Sequence, residues 1–281
     1  MPRPESDLIH PTAIVSDEAD LAPDVRVGPY AIVDGPVTLG PGCVVGPHAH
    51  LLGRVVAGRG NSFGPGCVIG GEPQHLGYKG EDTLTQIGDF NIFREHSTVH
   101  RGMPTGRGKT VVGDHNLFMV GSHVAHDCVV GSHVIMANSS MLAGHVEIQD
   151  RAFLSGSAGV HQFCRVGRLA LVSGLSGVTQ DLPPFWIAQG VMNIVHGVNV
   201  VGMRRAGISH PEIQAVRRAF RTIHLQGLLV KAAVAKLERE LPDSPCVREI
   251  VDFIRASKRG IVTGLGREID RDDRTELRGA A

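Results

Sequence analysis

The sequence predicts a mainly β protein, a parallel β-helix of hexapeptide repeats followed by a small α-helical domain. Three observations carry that prediction. Apolar residues recur every six positions over two thirds of the chain, small residues recur two positions ahead of them, and aromatic side chains make up only 4% of 281 residues. Neither the period of a helix nor plain strand alternation gives a repeat of six. Short strands separated by sharp turns do. Three such strands make an 18-residue triangular coil, and stacked coils enclose a narrow interior suited to Val, Ile, Leu and small residues.

The apolar series starts at Ile9 and passes through Val15, Leu21, Val27, Val33, Leu39, Val45, Leu51, Ala57 and Phe63 to Ile69. It resumes in phase at Ile87, Phe93 and Val99. A second run begins at Val112 and continues through Phe118, Val124, Val130, Met136, Leu142, Ile148, Leu154, Val160, Val166 and Val172 to Val178. Every position is apolar in a chain that is 42% hydrophobic, which chance does not produce. Four of the five cysteines, Cys43, Cys67, Cys128 and Cys164, fall in the small-residue series, where a buried thiol acts as a small hydrophobe. Their spacing, without any CxxC, suits neither a disulfide framework nor a zinc ribbon. Two interruptions, GEPQHLGYKGEDTLTQ (71–86) and RGMPTGRGK (101–109), read as loops leaving the prism, where binding residues concentrate.

After VTQDLPPFWIAQG the hexads stop, and Pro183 and Pro184 mark a change of structure. The expected division is a β-helix over 1–192 and a helical domain over 193–281. Ser209 and Glu212 form a capping-box pattern, followed at helical spacing by Ile213, Val216, Phe220 and Ile223, with Gly227 as the expected end. A second helix is expected over 229–240. A third starts at Ser244 and Pro245 and buries Val247, Ile250, Val251 and Ile254. The tail REIDRDDRTELRGAA has few apolar residues and reads as disordered.

Lysine plus arginine equals aspartate plus glutamate, 28 each, so no global positive charge points to nucleic acid. Charge is unevenly placed, however: residues 204–259 carry 12 basic and 6 acidic side chains, and Arg204, Arg205, Arg217, Arg218 and Arg221 suit a phosphate-bearing ligand or an acidic partner. The opening MPRPESDLIHPTAIV has no apolar core with a cleavage site, and no stretch reaches the ~18 apolar residues that span a bilayer. A cytoplasmic protein without stable membrane insertion is expected.

Val124, Leu142 and Val160 are 18 apart and therefore stack on successive coils, about 4.8 Å apart. Around them lie His123, His126, His145 and His161, four histidines on one wedge. Three readings stay open on the residues alone. Zinc needs neutral imidazoles converging on one ion. Imidazoles can also simply stack or hydrogen-bond at a subunit interface. In the third reading His126 accepts a hydroxyl proton, Asp127 orients its ring, and the Gly144 amide faces an oxyanion. No GxSxG nucleophile signature is present, which favours direct transfer over a covalent intermediate.

The repeat resembles that of the left-handed β-helix acyltransferases, and the handedness is what this resemblance implies. HPTAIV, VHRG, AHDCVVG, LAGHV, VHQFCRVG, SGVTQDLPP, IAQG and GVNVVGMRRAG together resemble the UDP-N-acetylglucosamine acyltransferase family to about residue 260. That family implies a homotrimer with sites between subunits, no metal and no cofactor, and transfer of a 3-hydroxyacyl chain from acyl carrier protein to the sugar 3-hydroxyl at the start of lipid A synthesis. By matching motif, His126 is the base, Asp127 its partner and the Gly144 amide the oxyanion donor. His75, His100, His123, His145, His161 and Gln162 line the substrate cleft, Gly174 limits acyl length, Asn199 and Arg205 contact the nucleotide, and the basic helices face the carrier protein. The HxxH spacing differs from the HxxxxH of the zinc-binding gamma-class carbonic anhydrases on the same scaffold. Two departures stand out: Gln74-His75-Leu76-Gly77 replaces a QDLK loop, and Val201 and Ala206 replace polar residues. A 3-amino UDP-sugar acceptor or a different acyl chain is the alternative they raise.

Overall fold

A computed structural model describes residues 8–191 and 193–265; the tail read as disordered lies outside them. The hexads form a left-handed parallel β-helix whose short strands build three flat faces. Among the described residues these are sheets of nine, eight and eleven strands, each hexad strand pairing with the one a full coil away. Register is as the period requires, with Val124 opposite Leu142 and Leu142 opposite Val160. The anchors from Val27 to Val178 are buried, whereas Ile9 is 47% exposed because it lies at the open end of the first coil. Because the side chains of a strand alternate between faces, each anchor's neighbour points outward.

Two features of the interior lie outside a column of small aliphatics. Phe63, Phe93 and Phe118 occupy equivalent anchors on successive coils, and their rings stack at 5.3 and 4.7 Å. Asn61, Asn91 and Asn116 hold the small-residue positions beside them and are fully buried. They form a ladder: Asn61 Oδ1 accepts from the Asn91 amide (2.9 Å), Asn91 Oδ1 from the Asn116 amide (2.9 Å) and Asn116 Oδ1 from the Val134 amide (2.7 Å). Their Nδ2 groups donate to the carbonyls of Gly58, Gly88, Gly113 and Gly131. Side-chain amides thus satisfy backbone groups at a turn that would otherwise be buried without partners.

The third face gains one strand, Trp186–Ala188, after the last hexad, and Ile194–Val198 then folds back antiparallel to it. Among the described residues four helices follow: α1 (Val200–Arg205), α2 (His210–His224), α3 (Val230–Glu240) and α4 (Pro245–Arg255). Helix α1 begins before the helical pattern of the sequence does; its cap is Asn199, whose Oδ1 accepts from the Gly202 amide. The capping box at Ser209 does not form, since Ser209 makes no side-chain cap bond. Glu212 instead accepts from Ser244 Oγ (2.7 Å) and the Cys246 amide (3.1 Å), tying α2 to the start of α4. Ser244 caps α4 as expected. Trp186 packs edge-on against Phe220 and His224, and Arg168 grips Glu249 at 2.7 Å, so the helices close one end of the prism.

Candidate active site

The histidines gather at the corner where the nine-stranded face turns into the eight-stranded one. Here each coil places one residue in the left-handed region, Asp127 (φ 59°), His145 (φ 62°) and Phe163 (φ 64°), so that equivalent side chains stack coil upon coil. The His145 and Phe163 rings lie 4.5 Å apart and nearly parallel. His126 stands edge-on to His145 at 5.1 Å and to His75, from the 71–86 loop, at 5.7 Å. On the adjoining face His123 bonds Thr98 Oγ1 through Nδ1 (2.7 Å) and meets the His100 ring at 4.8 Å.

Asp127 is fully buried, although its place at a corner of the repeat suggests an outward-facing side chain. What covers it is the 101–109 loop. The Met103 amide donates to Oδ2 (3.0 Å) and the Arg107 amide to Oδ1 (2.7 Å), while His126 Nδ1 lies 2.8 Å from Oδ2. A Cβ on Gly106 would come within 2.6–2.7 Å of this carboxylate, so only glycine lets the turn close over it. Burial by itself raises the Asp127 pKa. The bonds from His126, Met103 and Arg107 outweigh it and hold the group below the usual carboxylate range. The imidazoles nearby respond oppositely. Burial lowers His100 to about 4, with His123 adding to the effect. Burial also lowers His123 and His145, Asp127 working partly against the shift at His145.

With Nδ1 directed at a carboxylate, the His126 proton sits on Nδ1 and Nε2 is left as the basic nitrogen. Nε2 lies over Gly144: a Cβ there would meet His126 Cε1 and Nε2 at 2.7 Å. Among the described residues the Gly144 amide donates no hydrogen bond. A basic nitrogen and an uncommitted amide therefore share one small space. His126, Asp127 and His145 also offer three ligand atoms within 4.8 Å of one another, a spacing that fits a metal ion as well as a proton relay.

The other expected residues are more dispersed. His161 and Gln162 are exposed one coil beyond His145. Gly174 is exposed at the opposite edge of the nine-stranded face; between the two edges, outward positions are taken by Met141, Gly159 and Gly177 in register. Asn199 is buried, its Nδ2 donating to the Leu169 carbonyl and its Oδ1 capping α1. Arg205 is exposed in the last turn of that helix. Met103, Gly106 and Arg107 were not anticipated as individual residues; the signal was the break in the repeat, since an insertion at one corner can only fold over its neighbours.

Residues 181–262 match the family model described as UDP-N-acetylglucosamine O-acyltransferase, domain 2. The acyl-[acyl-carrier-protein]–UDP-N-acetylglucosamine O-acyltransferase of Halorhodospira halophila is 48% identical over 254 residues, 90% of this chain and 98% of that one. The chain belongs to the UDP-N-acetylglucosamine O-acyltransferase family. The family member of the same name from Agrobacterium fabrum is 43% identical over 92% of this chain and 96% of its own. Among solved structures of these acyltransferases, LpxA from Acinetobacter baumannii superposes with a TM-score of 0.85 at 40% identity, covering 91% of this chain and all of that one. The Bacteroides fragilis enzyme gives 0.86 at 39%, covering 90% and 99%. At the His126–Gly144 corner an imidazole nitrogen and an uncommitted backbone amide face the same space.

Proposed function

We propose that the chain transfers a 3-hydroxyacyl group from acyl carrier protein to the 3-hydroxyl of UDP-N-acetylglucosamine, the first step of lipid A biosynthesis, with His126 as general base. The observation that carries this is the 2.8 Å contact between His126 Nδ1 and a buried Asp127 held ionised by backbone amides. Nε2 takes the hydroxyl proton as the sugar oxygen attacks the thioester carbonyl. The oxyanion of the tetrahedral intermediate faces the Gly144 amide. On collapse the C–S bond breaks and the imidazolium returns its proton to the departing thiolate. Asp127 stabilises the imidazolium between these steps without itself taking the proton.

His75, His100, His123, His145, His161 and Gln162 form the walls for the sugar. The Gly159–Gly177 trough leads the acyl chain toward Gly174. Arg205 serves the nucleotide side, with Asn199 fixing the start of its helix from beneath, and the basic face of α2, with Arg217, Arg218 and Arg221, receives the acidic carrier protein. In this reading residues 1–192 do the chemistry and 193–281 dock the donor. A homotrimer is supported by an outward apolar ladder on the eleven-stranded face: Ile92, Leu117, Ile135, Phe153, Leu171 and Ile187 are in register coil by coil. No described helix is long and apolar enough to cross a membrane, which accords with work in the cytoplasm on a carrier-bound donor.

The test is an acylation assay with UDP-N-acetylglucosamine, its 3-amino counterpart and a ladder of 3-hydroxyacyl carrier proteins. Wild type is expected to form an ester on the hydroxyl sugar, and His126→Ala to lose at least about a thousandfold in rate. A wild-type enzyme that acylates neither acceptor from any donor refutes the reading; one that prefers the amine makes it an amide-forming relative.

A further inference from the structure

The turn that covers Asp127 is fastened from outside by a chain of alternating charges. Arg107, whose amide donates to Asp127, sends its guanidinium along the eight-stranded face to Glu147. Glu147 lies in register with Arg165 on the next coil, its Oε2 3.7 Å from Arg165 Nε. Arg165 in turn lies 3.9 Å from Asp181, which is 1% exposed, and its guanidinium sits 4.1 Å from the centre of the Phe253 ring on α4. Its amide donates to Asp181 Oδ1 (2.9 Å) and its Nη1 to the Phe253 carbonyl (3.3 Å). The chain therefore runs from a buried anchor at the helical end to the loop over the catalytic carboxylate.

We propose that Glu147 is a positioning residue for acyl transfer: by pairing with Arg107 it holds the 103–107 turn closed over Asp127, and Arg165 fixes Glu147 for that task. An isolated pair of this exposure holds a loop weakly. Arg165 changes the balance, because it is clamped on three sides and presents its charge to Glu147 in a set direction. With the turn shut, Asp127 keeps its two amide donors and stays dry. With Glu147 neutral, Arg107 swings free, water reaches the carboxylate, and the His126 ring loses the partner that sets its tautomer and angle. His145, one of the sugar walls, lies 3.8 Å from Asp127 through Nε2 but stays stacked on Phe163, so the effect falls mainly on turnover and little on substrate binding.

This rests on His126 and Asp127 being the base and its partner. The experiment compares wild type, His126→Ala, Glu147→Gln, Arg107→Ala and the Glu147→Gln/Arg107→Ala double variant by steady-state kinetics, with residue-resolved amide exchange at Met103 and Arg107. A fully active His126→Ala enzyme sinks the underlying reading, whatever Glu147 does; amide exchange reads the clamp without reference to activity. Expected for Glu147→Gln are a five- to twentyfold loss in kcat with KM for the sugar within twofold of wild type, faster exchange at both amides, and an unchanged unfolding temperature. The double variant is expected to lose no more than the worse single variant, as residues in one linkage do. A Glu147→Gln enzyme with kcat within twofold of wild type, unaltered amide exchange, or losses that multiply in the double variant would each overturn the proposal.

Discussion

Asp127 has no exposed surface and yet keeps its charge, its Oδ2 lying 2.8 Å from His126 Nδ1 while the Met103 amide donates to Oδ2 and the Arg107 amide to Oδ1. Asparagine at this position has almost the same shape but cannot accept with both atoms. Its NH2 would face either the Arg107 amide or, on the Oδ2 side, the Met103 amide together with His126 Nδ1. In the second orientation the ring flips tautomer and presents a protonated Nε2 to the sugar. Asp127→Asn is expected to lower kcat by roughly a hundred- to ten-thousandfold, with little change in KM, as steady-state kinetics on both substrates would record. A loss confined to KM would assign Asp127 to binding instead.

Gly144 and Gly106 are predicted to be irreplaceable for steric reasons of different kinds. Alanine at 144 puts a methyl 2.7 Å from the His126 ring, and alanine at 106 puts one 2.6–2.7 Å from the Asp127 carboxylate. Neither neighbour is a flexible side-chain end free to move aside: the ring is held by Asp127 and the carboxylate by three bonds. Gly144→Ala is expected to tilt the imidazole and lose about a hundredfold in kcat, comparable to removing one oxyanion donor, with the fold intact. Gly106→Ala is expected to lift the loop, detected as faster exchange of the Met103 and Arg107 amides. An alanine enzyme at 144 with wild-type turnover would remove that glycine from the site.

The prism was legible in the sequence because its period is set by backbone geometry alone, and the anchors, the small-residue series and both loop positions follow from counting. The proximity of His126, Asp127 and Gly144 was legible for the same reason, since an 18-residue coil converts spacing into proximity. What counting does not give is the path of an insertion. The burial of Asp127 under residues 103–107, the approach of His75 to His126 and the Arg107–Glu147 pairing all depend on loops that leave the repeat. The Ser209–Glu212 pattern misled for a related reason: a local cap lost to a tertiary partner, because the α4 N-terminus offers Glu212 a hydroxyl and an amide together. The asparagine ladder fell at small-residue positions, where only its bonds reveal that amides and not methyls are needed.

That ladder gives a stability prediction. Asn91 accepts from Asn116 and its Nδ2 reaches Asn61 Oδ1 and the Gly113 carbonyl, with no exposed surface. Alanine leaves the Asn116 amide and the Gly113 carbonyl buried and unpaired, each costing roughly 1–3 kcal/mol, while Asn61 Oδ1 keeps the backbone amide of residue 91. Asn91→Ala is expected to destabilise the prism by about 3–5 kcal/mol, well above the usual single-substitution cost of about 1 kcal/mol. Denaturant unfolding of the two proteins measures this, and a change under about 1 kcal/mol would mean water takes over the amide's bonds.

The pH dependence of stability follows from two buried imidazoles. Burial lowers His224, set against Trp186 and Phe220, to about 4, the Thr263 carbonyl working weakly the other way. His100 is lowered to about 4 chiefly by burial in the cleft. In the unfolded chain both take up a proton near 6.5, so between pH 6.5 and 4 the unfolded state binds more protons than the folded one. Stability therefore falls as pH drops through that window, by at most about 3 kcal/mol for each ring. The depressed Asp127 adds its own loss only below the unfolded carboxylate value near 4. His224→Phe keeps an aromatic ring in the cluster and removes the proton site. The variant should match wild type at pH 7.5 and unfold at a higher temperature than wild type at pH 5, as a thermal scan at each pH would show. Parallel curves for the two proteins across the window would mean that His224 escapes burial before it protonates.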